Sequence, residues 1–228
     1  MMLLTDLGIL HFFNGSNSLF YDTLVQVLTS GFTWIPLYLA LFYLVIKNNE
    51  TMVQIGLAIG CAVLCVVLSG GIDDMIVKPL VARLRPTVDP HVKFTIDIVN
   101  GITEAKQFSF FSAHAANTFT IAAFFALLVR SRLLNAALFT WALLNGWTRL
   151  YLGVHYPSDV LIGILWGCVV AVLVYWFYFR TYRRISPALN YVSSQYTVTG
   201  YNRGDIDMVL TVLMFTYLYA VVRTVVII

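Results

Sequence analysis

Residues 148–159, TRLYLGVHYPSD, join two apolar runs, about 133–152 and 160–179, each long enough to cross a bilayer. A hydrocarbon layer of about 30 Å takes about 20 helical residues. An arginine, a histidine and an aspartate at such a joint are costly at membrane depth unless they work together, so this stretch marks both the architecture and a site.

The rest of the chain agrees. Of its 228 residues, 60% are hydrophobic and 11% charged, against roughly 45–50% and 25% in soluble domains. One soluble core cannot hide that much apolar surface, whereas several spans can. The net charge of +3 comes from scattered basic residues and gives no nucleic-acid footprint. Cys61, Cys65 and Cys168 lie inside apolar runs and read as small buried hydrophobes. No Lys or Arg precedes Lys47, so a basic leader region is lacking and the N-terminus is expected to be retained.

Outward from 148–159, the expected architecture is an all-α, polytopic bundle of six transmembrane helices. The expected spans are about 24–46, with a kink at Pro36, then 52–72, 112–129, 133–152, 160–179 and 208–228. Residues 1–22 mix apolar positions with Asp6, His11, Asn14 and Asp22 and read as an interfacial helix broken at Asn14–Ser18. Residues 78–111 form the longest polar segment, carrying among others Glu104 and Lys106, and the whole chain reads as one membrane domain. Asp73 and Asp74 read as the polar end of the second span or as carboxylate partners of the nearby basic residues, the former being favoured. Lys47, Arg130, Arg132, Arg180, Arg183, Arg184 and Arg203 fall on one side, expected to be cytoplasmic.

The opposite face then receives three clusters. Lys78 and Arg85 in KPLVARLRP combine a point charge with a planar fork, suited to phosphate oxygens or to anionic headgroups. Ser112 in FFSAHAAN reads as a helix cap; the backbone N–H groups of Ala113 and His114 would face an anion, or the serine is a cap and nothing more. Pro157 suits a helix start, which leaves His155 on a turn with Asp159 in the first turn that follows, close to Arg149. An aspartate beside one imidazole nitrogen fixes the tautomer and leaves the other free to act.

These clusters resemble the signature motifs of the type 2 phosphatidic acid phosphatase superfamily, which includes vanadium-dependent haloperoxidases. Residues 78–86 match KxxxxxxRP in full. Residues 111–114, FSAH, keep the serine and histidine of PSGH, and residues 148–159 match SRxxxxxHxxxD except for Thr148. The resemblance implies a metal-independent and cofactor-free phosphatase. In it His155 would attack phosphorus, Asp159 would orient it and His114 would act as acid and base. Lys78, Arg85, Ser112, Ala113 and Arg149 would hold the phosphate.

The expected substrate is a lipid phosphate of a bacterial envelope: undecaprenyl diphosphate, phosphatidylglycerophosphate or phosphatidate, or a lipid A phosphate. The expected location is the cytoplasmic (inner) membrane, with the site facing the periplasm or exterior. Selectivity would lie in residues 87–108. Rival readings are phosphotransfer to another lipid, and a transporter with charges along its pathway.

Overall fold

The computed structural model describes residues 2–16, 18–99, 107–185 and 194–228. Glu104 and Lys106 of the expected polar segment, and residues 186–193 of the loop before the last helix, lie outside them. Among the described residues the protein is all-helical, with no strand beyond two isolated bridges.

Helix α1 covers Met2–Phe13 and α2 covers Leu19–Thr29. A 3-10 turn, Gly31–Trp34, then leads into α3, Ile35–Lys47. The expected kink at Pro36 lies elsewhere: the chain bends by 65° between α2 and the turn. The carbonyls of Val27 and Leu28, freed where α2 ends, accept bonds from Thr33 Oγ1 at 2.6 Å and Trp34 Nε1 at 2.8 Å. Pro36 sits in the first turn of α3, where a missing N–H costs nothing.

Helix α4, Met52–Val66, starts at a Thr51–Gln54 capping box and runs on through two π-helical segments, Val67–Gly71 and Asp73–Val77, into α5, Lys78–Val81. The continuous rod Met52–Val81 therefore reaches beyond the expected end at residue 72. Helix α6 is Ala113–Val129, α7 is Arg132–Tyr151, α8 is Pro157–Ile185 and α9 is Arg203–Ile227. The rod, α8 and α9 are long and apolar enough to cross a membrane, and the bent α2–α3 pair qualifies if taken as one span.

Helix α6 is the hub, buried on nearly every side and packed against α8, α7 and α4. Glycine permits its closest approach, to α8. A Cβ on Gly163 would lie 2.7 Å from the Ser112 carbonyl, and one on Gly167 2.4 Å from that of Ala116. This is the small-xxx-small device that lets helix backbones touch in membranes. Thr120 Oγ1 adds a bond to the Gly167 carbonyl at 2.9 Å. Since Ser112 caps α6 and Asp159 opens α8, this contact sets the spacing between two of the three clusters.

Over the end of the bundle that carries Ser112 lies a packed polar cap. Leu10, Val92, Ile96 and Tyr156 form one small apolar cluster in it, and Val25, Val99, Tyr151, Leu152 and Val154 another. Asn14 ties the N-terminal segment down, donating to the carbonyls of Tyr151 at 2.9 Å and Asp97 at 3.1 Å. Gly153 adopts φ +65°, and a side chain there would strike Ile96.

Candidate active site

The three clusters meet under this cap. Lys78, in the last turn of the rod, reaches Asp73 at 2.9 Å and Asp74 at 2.6 Å. Asp73 is fully buried and also accepts the Phe111 N–H at 3.0 Å, so it links Lys78 to the strand of chain entering Ser112. It is a partner of the lysine and not simply the end of a span. Arg85 Nε donates to the Phe108 carbonyl at 3.1 Å, and its backbone N–H donates to that of Gln107. Ser112 caps α6 through Oγ, and its N–H donates to the Asp159 carbonyl at 3.1 Å, joining the second and third clusters. Ala113 and His114 follow as the first two residues of α6, whose N–H groups have no carbonyl within the helix to bond.

Arg149 lies in the last turn of α7, bonded to Thr29 of α2. His155 is on the turn before α8 and only 2% exposed, whereas His114 is exposed. Arg149, Lys78 and Arg85 are the cations acting on His114, and Arg85 and Arg149 also act on His155, so the two histidines share one cationic surround. Burial and the nearby Arg149 charge lower Arg85 to about 10. Burial pushes His155 down to about 4, against the pull of Asp159, which leaves the imidazole uncharged at neutral pH.

Residues 51–183 match the family model of the PAP2 superfamily, and this range contains every residue just described except Thr29. The chain belongs to the PAP2 superfamily. It is accordingly a PAP2-type membrane phosphatase, a hydrolase of phosphate esters. It is 36% identical over 163 residues to a lipid A 4′-phosphatase of Bacteroides thetaiotaomicron, covering 71% of this chain and 72% of that protein. A second lipid A 4′-phosphatase, from Porphyromonas gingivalis, is 25% identical over 71% of this chain and 68% of its own length. The undecaprenyl-diphosphatase BcrC of Bacillus subtilis is 30% identical over 54% of this chain and 59% of its own. The fold is similar to that of LpxE from Aquifex aeolicus, with TM-score 0.56 and 22% identity, covering 74% of this chain and 93% of that one.

Within this PAP2 site one expected contact is looser than the motif implies. His155 Nδ1 stands 3.8 Å from Asp159 Oδ2, beyond hydrogen-bond distance. Asp159 is held more tightly by Arg83, Nη1 to Oδ1 at 2.7 Å, and by the Tyr156 N–H at 3.0 Å. Arg83 also pairs with Asp6 of α1 at 3.0 Å. Neither Arg83 nor Asp6 stands out in the sequence. The only signal for Arg83 was a second arginine two positions before Arg85, and Asp6 has no local signal.

Proposed function

We propose that the chain is a lipid phosphatase of the bacterial envelope that removes a phosphate from lipid A through a phosphohistidine at His155. The observation that carries the chemistry is the buried His155 set among Arg85 and Arg149, with the exposed His114 beside the same cations. Nδ1 of His155 faces Asp159, so Nε2 is the nitrogen available for attack. It bonds to phosphorus as the P–O bond to the lipid breaks, and His114 gives the leaving oxygen its proton. Water then attacks phosphorus, the P–N bond breaks, and His114 takes up the water's proton. Lys78, Arg85, Arg149, the Ser112 hydroxyl and the N–H groups of Ala113 and His114 receive the equatorial oxygens and their developing charge. Asp159 offsets the positive charge on the phosphorylated imidazole.

Lipid A is favoured because both lipid A 4′-phosphatases are similar over 71% of this chain. Similarity to BcrC keeps an isoprenoid diphosphate as the second candidate. Residues 87–99 and 107–108 lie in the cap beside the site, which supports their role in selecting the lipid headgroup; residues 100–106 fall outside the described part of the chain.

The same reading takes the chain as six spans with α1 in the interface. The bent α2–α3 pair, the rod, α6, α7, α8 and α9 would be those spans, with the 17 residues of α6 reaching about 25 Å. The basic loops support a cytoplasmic assignment for the far end. Arg130, Arg132 and Arg203 line one cavity of about 1050 Å³ there, and Asn48 beside Lys47 bonds Asp205. The site would then face the periplasm.

The test is phosphate release by the detergent-purified protein, in chelator, from lipid A, undecaprenyl diphosphate, phosphatidylglycerophosphate and phosphatidate. Release from lipid A that is abolished in His155→Ala supports the reading. Selective release from undecaprenyl diphosphate would replace the substrate, and transfer to a second lipid without free phosphate would replace the reaction.

A further inference from the structure

Asp159 makes its shortest contacts away from the histidine it is expected to serve. Oδ1 accepts from Arg83 at 2.7 Å and Oδ2 from the Tyr156 N–H at 3.0 Å, while His155 Nδ1 stands off at 3.8 Å without another hydrogen-bond partner among the described residues. Arg83 is itself fixed on several sides. Nη1 also donates to Ser158 Oγ at 2.8 Å, Nη2 donates to Asp6 Oδ2 at 3.0 Å, and the guanidinium lies 3.9 Å over the Tyr156 ring. Asp6 in turn accepts the Ser158 N–H at 3.0 Å and the Ser158 hydroxyl at 2.5 Å. One guanidinium therefore joins α1, the segment after α5 and the first turn of α8.

The charges in this cluster do not cancel. Arg83 is one cation between two carboxylates, Asp6 and Asp159, so one negative charge remains beside His155. Without Asp6, Arg83 would neutralise Asp159. Without Arg83, Asp159 would keep its charge but lose the fork that holds Oδ1. Asp159 is fully buried and Asp6 and Arg83 are partly buried, so these charges are screened less by water than surface charges are.

We propose that Arg83 and Asp6 are positioning residues for the reaction: Asp6 holds Arg83, Arg83 holds Asp159, and the cluster keeps one net negative charge facing His155. The proposal rests on the reading of His155 as nucleophile, and it makes α1 a working part of the site as well as a surface helix. His155 is also faced by Arg85, by Arg149 at the end of α7 and by His114 on α6, all of which are unchanged in the variants below.

The test is an NMR titration of the His155 imidazole in full-length protein carrying ¹³C-labelled histidine, assigned by loss of its signal in His155→Ala. Arg83→Gln removes a cation, so the midpoint should rise by about 1 in pH; Asp6→Asn removes an anion, so it should fall by a similar amount. Arg83→Lys keeps the charge without the fork and should stay near the wild-type midpoint. In turnover, kcat should drop roughly tenfold or more in Arg83→Gln and Asp6→Asn with KM little changed, and Arg83→Lys should recover part of it. Shifts of one sign in both folded variants, or no shift in either, would overturn the proposal, since a purely structural tie for α1 predicts no opposition of sign. The titration needs no substrate. A wild type that released no phosphate would count against the phosphatase reading and leave the titration to decide this one.

Discussion

Gly163 of α8 lies so close to the Ser112 carbonyl that a methyl group on it would sit 2.7 Å from that oxygen. The contact is backbone against backbone, so it cannot be relieved by turning a side chain. It holds the cap residue of α6 at a set distance from Asp159, four residues before Gly163 on the same helix face.

Gly163→Ala should therefore displace Ser112 and the N–H groups that follow it. We expect a stability loss of about 1–3 kcal/mol and a fall in kcat of roughly a hundredfold for a shift approaching 1 Å. Gly60→Ala is the control, because a Cβ there meets nothing within 4 Å. Thermal unfolding in detergent together with phosphate release would measure both.

Asp73 and Asp74 both touch Lys78, yet they should behave differently. The Asp73 side chain is fully buried and also accepts the Phe111 N–H, whereas that of Asp74 is 39% exposed. Asp73→Asn breaks a buried pair and should cost about 3–5 kcal/mol. Asp74→Asn should cost no more than about 1 kcal/mol. Melting temperatures and residual activity of the two variants provide the comparison.

This contrast bears on what a sequence can disclose. Lys78, Arg85, His114, Arg149, His155 and Asp159 were legible because charged residues interrupt apolar runs at a recognisable spacing. The sequence cannot decide between the two roles of Asp73, because an aspartate at a span's end looks the same whether it meets water or a lysine. Arg83 and Asp6 were invisible as a pair, being 77 positions apart and joined only when α1 folds over the start of α8. The bend at Ser30 was missed for a related reason. Proline is a local signal, whereas the capture of the Val27 and Leu28 carbonyls by Thr33 and Trp34 depends on side chains that fold back.

The pH dependence follows from burial of His155. Its ordinary value of 6.5 is lowered to about 4 in the folded protein, so the nucleophile stays unprotonated throughout the mildly acidic range. The acid limb of kcat/KM due to His155 should then lie near 4 and not near 6.5. The matching stability contribution is fully present above 6.5, where neither state is protonated, and is lost progressively as pH falls through 6.5 toward 4, where the unfolded chain binds the proton first. Rate profiles and melting curves over this range check both.

Removal of divalent metal should leave turnover unchanged, since the proposed mechanism draws its positive charge from Lys78, Arg85 and Arg149. Activity measured in excess chelator, then with magnesium added back, decides this. Restoration by magnesium would mean that a metal takes part.

The most direct test of the account is to trap the intermediate. Protein mixed with lipid A carrying a ³²P-labelled 4′-phosphate, quenched in alkali within a turnover and digested, should yield an acid-labile label on the peptide containing His155 and none in His155→Ala. Phosphate release by the wild type with no label at His155, or with the label on His114, would contradict it.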